Sequence, residues 1–205
     1  VPQAVQQIAD QILNRIPDNR RIKKQWASRP EGGSVDHITS IEDVPLHEGD
    51  WLILARTNDK LIKLKSILQE MAIYFEIKGR KSYKTRLYTA VKHYTRWTKG
   101  DKLSLSECKD LFEYLELDQE LKEERMYDLQ EFGYNTTDEW YEVFKSDPEE
   151  CLYIREMLRN KEELSHPARV KLSTIHSAKG GEATNVLLIL DNTKKIREAV
   201  DKSED

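Results

Sequence analysis

"DWLILARTNDKLIKLKSILQEMAIYFEIKG" (Asp50–Gly79) decides the fold. Its opening run, Trp51–Ala55, is continuously apolar and is bounded by Gly49-Asp50 and by polar Arg56-Thr57-Asn58. A short apolar run between turn residues reads as a buried strand. "NDKLIKLKSILQEM" then carries the i, i+3, i+4 spacing of an amphipathic helix, with Asn58 as its expected N-cap. "IYFEIKG" restores strand character and is closed by Gly79. Strand, helix and strand in about 30 residues is the βαβ unit, which implies a parallel sheet with a right-handed crossover.

Upstream, "PQAVQQIADQILNRI" (Pro2–Ile16) spaces Val5, Ile8, Ala9, Ile12, Leu13 and Ile16 as one helix face. A basic connector, Pro17–Ser34, follows, and "VDHITSI" (Val35–Ile41) reads as a short edge strand. Downstream, the period changes at Ser82, where Tyr83, Leu87, Val91, Tyr94 and Trp97 mark a helix. Four further helical patterns occupy Ser104–Gln119, Glu120–Phe132, Thr137–Asp147 and Pro148–Leu164. Strand patterning returns in "RVKLSTI" (Arg169–Ile175) and "NVLLILD" (Asn185–Asp191). The expectation is an α/β domain, residues 1–98 and 166–205, interrupted by an all-helical insert, residues 99–165.

The charge follows this division. Residues 1–100 hold 18 Lys/Arg against 11 Asp/Glu, and residues 101–168 hold 8 against 20, so a net charge of −4 conceals an acidic insert between basic flanks. Such an asymmetry bears on partners. It argues against the insert gripping duplex phosphates and leaves it open to a protein partner. No apolar run approaches the roughly 20 residues that span a bilayer, so no membrane role is expected and a cytoplasmic setting is. Val1 begins neither a signal peptide nor an open reading frame, which suggests a piece of a longer chain. Cys108 and Cys151 stand far apart without a Cys-x-x-Cys, consistent with two free thiols and no metal site.

The chemistry concentrates in "STIHSAKGGEATN" (Ser173–Asn185). In open parallel sheets, ligands bind beyond the carboxyl ends of the strands. Thr174 and His176, two apart, share a side of an extended backbone. "HSAKG" is long enough for one helical turn, with Gly180 suited to a left-handed end. Two readings fit. The turn could offer amides and Lys179 to an anion while Glu182 accepts from hydroxyls. Alternatively, it is a glycine-closed turn with solvated side chains. The basic cluster Lys78, Arg80, Lys81, Lys84 and Arg86, interleaved with Tyr83 and Tyr88, likewise divides between a stacking surface and a buried tyrosine stripe beneath solvated charges.

"TIHSAKGGE" matches T-x-H-x-x-K-G-x-E and resembles motif V of superfamily 1 helicases of the UvrD/Rep/PcrA type. Three segments fall in that family's order. "VPQAVQQIADQIL" resembles the stretch after the arginine-finger motif. "NRRIKKQWA" (Asn19–Ala27) is similar to a connector of the form N-x-x-R-x-x-K-x-L-W-T. "LILARTNDK" (Leu52–Lys60) resembles the motif IVa strand end. The resemblance implies an incomplete second RecA-like domain of an ATP-dependent DNA helicase. In it, Thr174, His176, Arg56, Thr57 and Asn58 would bind single-stranded DNA. Glu182, Gly180 and Lys179 would form part of the ATP site, with Glu182 on the ribose. ATP and Mg²⁺ would need the missing N-terminal RecA-like domain, because no G-x-x-x-x-G-K-[ST] loop occurs here. Without it, the Walker B-like strand ending at Asp191 has no nucleotide to serve, and the chain alone is expected to be inactive. Gly181 stands where the family usually has Leu, which implies a looser loop. A catalytically inactive helicase-like interaction module and the motor part of a helicase–nuclease are the alternatives.

Overall fold

The computed structural model describes residues 1–22, 32–115, 117, 121, 124–133, 138–179 and 181–190. By its internal contacts the chain forms two units, Val1–Pro45 and Leu46–Asp205.

The first unit contains helix α1 (Gln3–Asn14), as its apolar spacing predicts. Arg21 ties the following turn back to it. Its guanidinium donates to the Leu13 carbonyl (3.2 Å) and to Asn14 Oδ1 (2.6 Å), and pairs with Asp18. The expected strand at Val35–Ile41 does not form. Residues 32–38 are irregular, and Ile41–Asp43 is a single 3₁₀ turn. Val35 and Ile38 are exposed, so that segment lacks the buried face that would hold a strand in register.

The second unit is built on a five-stranded mixed sheet, β1 (Trp51–Ala55), β2 (Phe75–Ile77), β3 (Arg80–Lys81), β4 (Val170–Thr174) and β5 (Asn185–Leu188). Its order is β3-β2-β4-β1-β5. β1 pairs in parallel with β4 and β5, β4 pairs in parallel with β2, and only the β2–β3 hairpin is antiparallel. The βαβ reading therefore holds in sense. Its two strands are not neighbours, however, because β4 arrives from far along the chain and inserts between them.

Helix α2 (Asn58–Glu70) connects β1 to β2 and turns Leu61, Leu64 and Leu68 inward. Ile53, Ala55, Phe75, Val170 and Leu172 are buried on alternate strand positions, while Lys171 between them is exposed, the two-residue period of a sheet with one covered face. Thr57 takes the N-cap place, with extended backbone, and Asn58 is the first helical residue instead of the cap.

The helical lobe comprises α3 (Thr85–Thr98), α4 (Leu105–Leu115), the short α5 (Trp140–Val143) and α6 (Pro148–Arg159). Leu87, Val91, Tyr94 and Trp97 of α3 are buried as expected, within one apolar cluster that reaches from Ala72 and Tyr74 to Leu164 and Ala168. The helix expected over Glu120–Phe132 is absent among the described residues. Tyr127 exchanges backbone hydrogen bonds with Leu103 instead (2.9 and 2.7 Å), and only Leu129–Phe132 turns, as 3₁₀. Asp128 and Glu131 cap that turn reciprocally and Gly133 closes it at φ 76°, so local capping overrides the weaker helical pattern.

Tyrosines bind the lobe to the sheet. Tyr83 donates to the Leu164 carbonyl at 2.5 Å, and Lys81 Nζ reaches the same carbonyl at 3.1 Å. Tyr153, from α6, donates to the Ile73 carbonyl at 2.6 Å and lies 2.8 Å from Ser82 Oγ. Where the lobe returns to β4, the buried Glu162 carboxylate receives Arg169 (3.0 Å), whose other nitrogen donates to the Leu46 carbonyl. Cys108 and Cys151 are free and buried, and burial pushes the Cys108 thiol up to about 11, leaving it protonated and unreactive at neutral pH.

Tyr153→Phe removes the donor to a buried carbonyl and should cost about 1–3 kcal/mol. The expected observation is a lower urea midpoint at unchanged slope. An unchanged midpoint would mean that the hydroxyl does not join lobe and sheet.

Candidate functional site

Because β2, β4, β1 and β5 run the same way, their carboxyl ends share one edge of the sheet. The register sets Ala55 opposite Thr174, and Ile175 N–H donates to the Ala55 carbonyl at 3.0 Å, extending the ladder one step further. Neighbouring strands lie about 4.8 Å apart. The segments beginning at Arg56 and at Thr174, separated by more than a hundred residues in sequence, therefore leave the sheet side by side.

The loop after β4 makes the expected helical turn. Ala178 N–H donates to the Thr174 carbonyl (3.0 Å), and Gly181 N–H donates to the Ala178 carbonyl (2.8 Å). Thr174 caps this turn. Its Oγ1 accepts from the Ser177 amide at 3.2 Å and donates to Ser177 Oγ at 2.8 Å. Thr174 is thus half-buried and occupied in shaping the loop. His176, Lys179 and Glu182 are exposed. Gly181 stands where a side chain would be crowded. A Cβ there would lie 3.1 Å from the Ala178 carbonyl oxygen, so this turn is tight and has little room for a side chain. Gly180, expected to end the turn, lies outside the described residues, as do Asp191 and the connector from Lys23 to Ala27.

On the β1 side, Arg56 and Asn58 are exposed and Thr57 is half-buried. A strand-end salt bridge would have been the ordinary use of Arg56, yet among the described residues it has no carboxylate partner. No side chain caps α2, so the amides of its first turn are left for solvent or a ligand at this edge. That missing cap is a feature that the sequence, with Thr57 and Asn58 in place, does not reveal.

The tyrosine stripe settles the reading of the basic cluster. Tyr83 is buried and hydrogen-bonded, and Lys81 is held internally between Tyr83 and Leu164. Neither is available to a base. Lys78, Arg80 and Arg86 remain exposed.

Comparisons with protein-family models, curated proteins and solved structures find no match to this chain. The functional reading rests on the edge itself. Among the described residues no cluster of three His, Cys, Asp or Glu could hold a metal, and no helix is long and apolar enough to cross a membrane. Among the described residues the edge offers exposed cations, one imidazole, the exposed carboxylates of Asp59 and Glu182, and helix-terminal amides, a set with donors for phosphates and acceptors for hydroxyls.

Thr174→Ala should loosen the turn by about 1 kcal/mol, the usual worth of a hydroxyl cap, giving roughly five-fold faster exchange of the Ser177 amide. Thr174→Ser should restore it. Equal exchange in all three proteins would show that Thr174 does not hold the loop.

Proposed function

We propose that this chain is part of a nucleic-acid motor of the superfamily 1 helicase kind, and that the carboxyl edge of its sheet holds single-stranded DNA. The observation that carries the proposal is the pairing of Ala55 with Thr174, which sets Arg56–Asn58 beside Thr174–Glu182. Those are the two segments whose sequences resemble the family's strand-contacting motifs. Arg56 supplies a guanidinium that has no carboxylate partner among the described residues, Asn58 an amide at the start of an uncapped helix, and His176 a ring beside the backbone turn.

Glu182 and Lys179 have a different task in this reading. The exposed carboxylate six residues beyond His176 would accept from the sugar hydroxyls of ATP, with Lys179 towards its phosphates. Binding of the triphosphate and Mg²⁺ requires a phosphate loop, which this sequence does not contain. A second RecA-like domain would supply it, and the turn between His176 and Glu182 would then couple strand contact to nucleotide state. Chemistry of that kind relies on positioning and electrostatic stabilisation across two domains. Alone, the chain holds one side of each site.

Binding of a labelled oligothymidylate to the 205-residue chain tests this assignment. Affinity should fall steeply with salt, and Arg56→Ala should reduce the slope of log K against log salt by about 0.7, the share of one single-strand phosphate. His176→Ala should weaken binding, while Glu182→Ala should leave it near the wild-type value. ATP turnover by the chain alone, or equal binding by all three variants, would overturn the proposal.

A further inference from the structure

A second feature of the same edge lies outside every motif. Between α2 and the β2–β3 hairpin is a hollow of about 620 Å³, lined at its base by the buried Leu61 and Phe75 with the half-buried Ile77, walled by the exposed Ile62, and rimmed by Lys65, Lys78 and Arg80. Among the described residues no carboxylate lines it, although Asp and Glu outnumber Lys and Arg in the chain as a whole. Lys65, Lys78 and Arg80 are exposed, and among the described residues none has an ion-pair or side-chain hydrogen-bond partner. Lys81 also reaches the hollow but is held by Tyr83 and Leu164.

The hairpin itself carries a cost. Lys78 has φ 51° and Gly79 φ 73°. Two-residue hairpin turns with both centres at positive φ favour Asn-Gly or Asp-Gly, and a lysine in the left-handed region is disfavoured by roughly 1 kcal/mol. An Asn would relieve that strain and an Asp would also reverse the charge, yet a cation stands at the tip. Strain kept at an exposed, unpaired side chain points to a role outside folding.

The position is also specific. β2 pairs with β4, Ile77 opposite Leu172, so the hairpin tip leaves the sheet next to the strand that delivers Thr174 and His176. Asn58, at the start of α2, lines the hollow too. The hollow therefore shares Asn58 with the edge already described and lies on its β2 side.

We infer that this hollow is an extension of the single-strand track, in which Lys65, Lys78 and Arg80 take backbone phosphates. The inference rests on the proposed reading of the Arg56–His176 edge. A positively charged groove that tracks the backbone is the part of sequence-independent strand binding that this hollow supplies. A free phosphate or a mononucleotide offers the same anionic chemistry but would use only part of the hollow.

The test compares oligothymidylates of about 4 and about 12 nucleotides, within the ordinary range of single-strand site sizes. Lys78→Asn removes the cation while suiting the turn, so it should melt no lower than wild type. Arg80→Glu reverses the second charge. Both variants should bind the longer strand more weakly, the pair together lowering the salt slope by about 1.4, two single-strand phosphates. The shorter strand, held at Arg56 and His176, should bind both variants as it binds wild type. Millimolar pyrophosphate or thymidine monophosphate should fail to remove the length-dependent gain. If Lys78→Asn and Arg80→Glu bind the longer strand like wild type while Arg56→Ala weakens it, the extension is wrong and the edge reading survives. If only the hollow variants lose binding, the hollow binds the strand on its own and the edge reading falls. Removal of the gain by pyrophosphate or the monophosphate would make the hollow a small-anion site and overturn the extension.

Discussion

Everything in the second unit depends on β4 lying between β1 and β2. Without it the sheet would be two separate pieces, β1 with β5 and β2 with β3, and the two loops of the candidate site would have no fixed relation. Val170 and Leu172 pair on both sides and are buried, so the strand is held by two ladders and by the core beneath. Bringing it there closes a loop of roughly 90 residues, which costs on the order of 4 kcal/mol in chain entropy. The tyrosine bonds to Leu164 and Ile73 and the Glu162–Arg169 pair lie at the two mouths of that loop. They hold the lobe so that its return leads directly into β4.

The charges divide in the same way as the architecture. In the helical lobe and at its return to β4, most arginines are paired, Arg86 of α3 being the exception among the described residues. Arg96 meets Glu107 and Asp101, Arg125 meets Glu131, Arg155 and Arg159 share Glu156, and Arg169 meets Glu162. The exposed pairs among these contribute little stability, but all of them neutralise their cations towards other ligands. At the carboxyl edge, Arg56, Lys65, Lys78 and Arg80 have no such partners among the described residues. A chain with a net negative charge thus keeps a stretch of unneutralised positive charge along one edge of its sheet, which is where a polyanion would be drawn.

Much of this was legible in the sequence, for identifiable reasons. Trp51–Ala55, Val170–Thr174 and the stripe from Leu87 to Trp97 are strongly patterned, and each forms the expected element. The turn after β4 was also readable, because Thr174, Ser177 and the glycines are residues that cap and close turns. Strand order was not, since nothing local in Val170–Thr174 says which strands it will separate. Leu103–Tyr127 pairing was hidden for the same reason: its partners lie far apart. The hollow is hardest to read, because Lys65 comes from a helix and Lys78 from a hairpin, and only the sheet brings them together.

The claim that single-stranded nucleic acid lies along the carboxyl edge is tested most directly by amide hydrogen exchange of the 205-residue chain with and without a saturating oligothymidylate. The account predicts slower exchange in residues 56–60, 78–81 and 174–179, with α4, α5 and α6 unchanged. Protection confined to the helical lobe, or no protection anywhere in a sample shown to bind the strand, would contradict it.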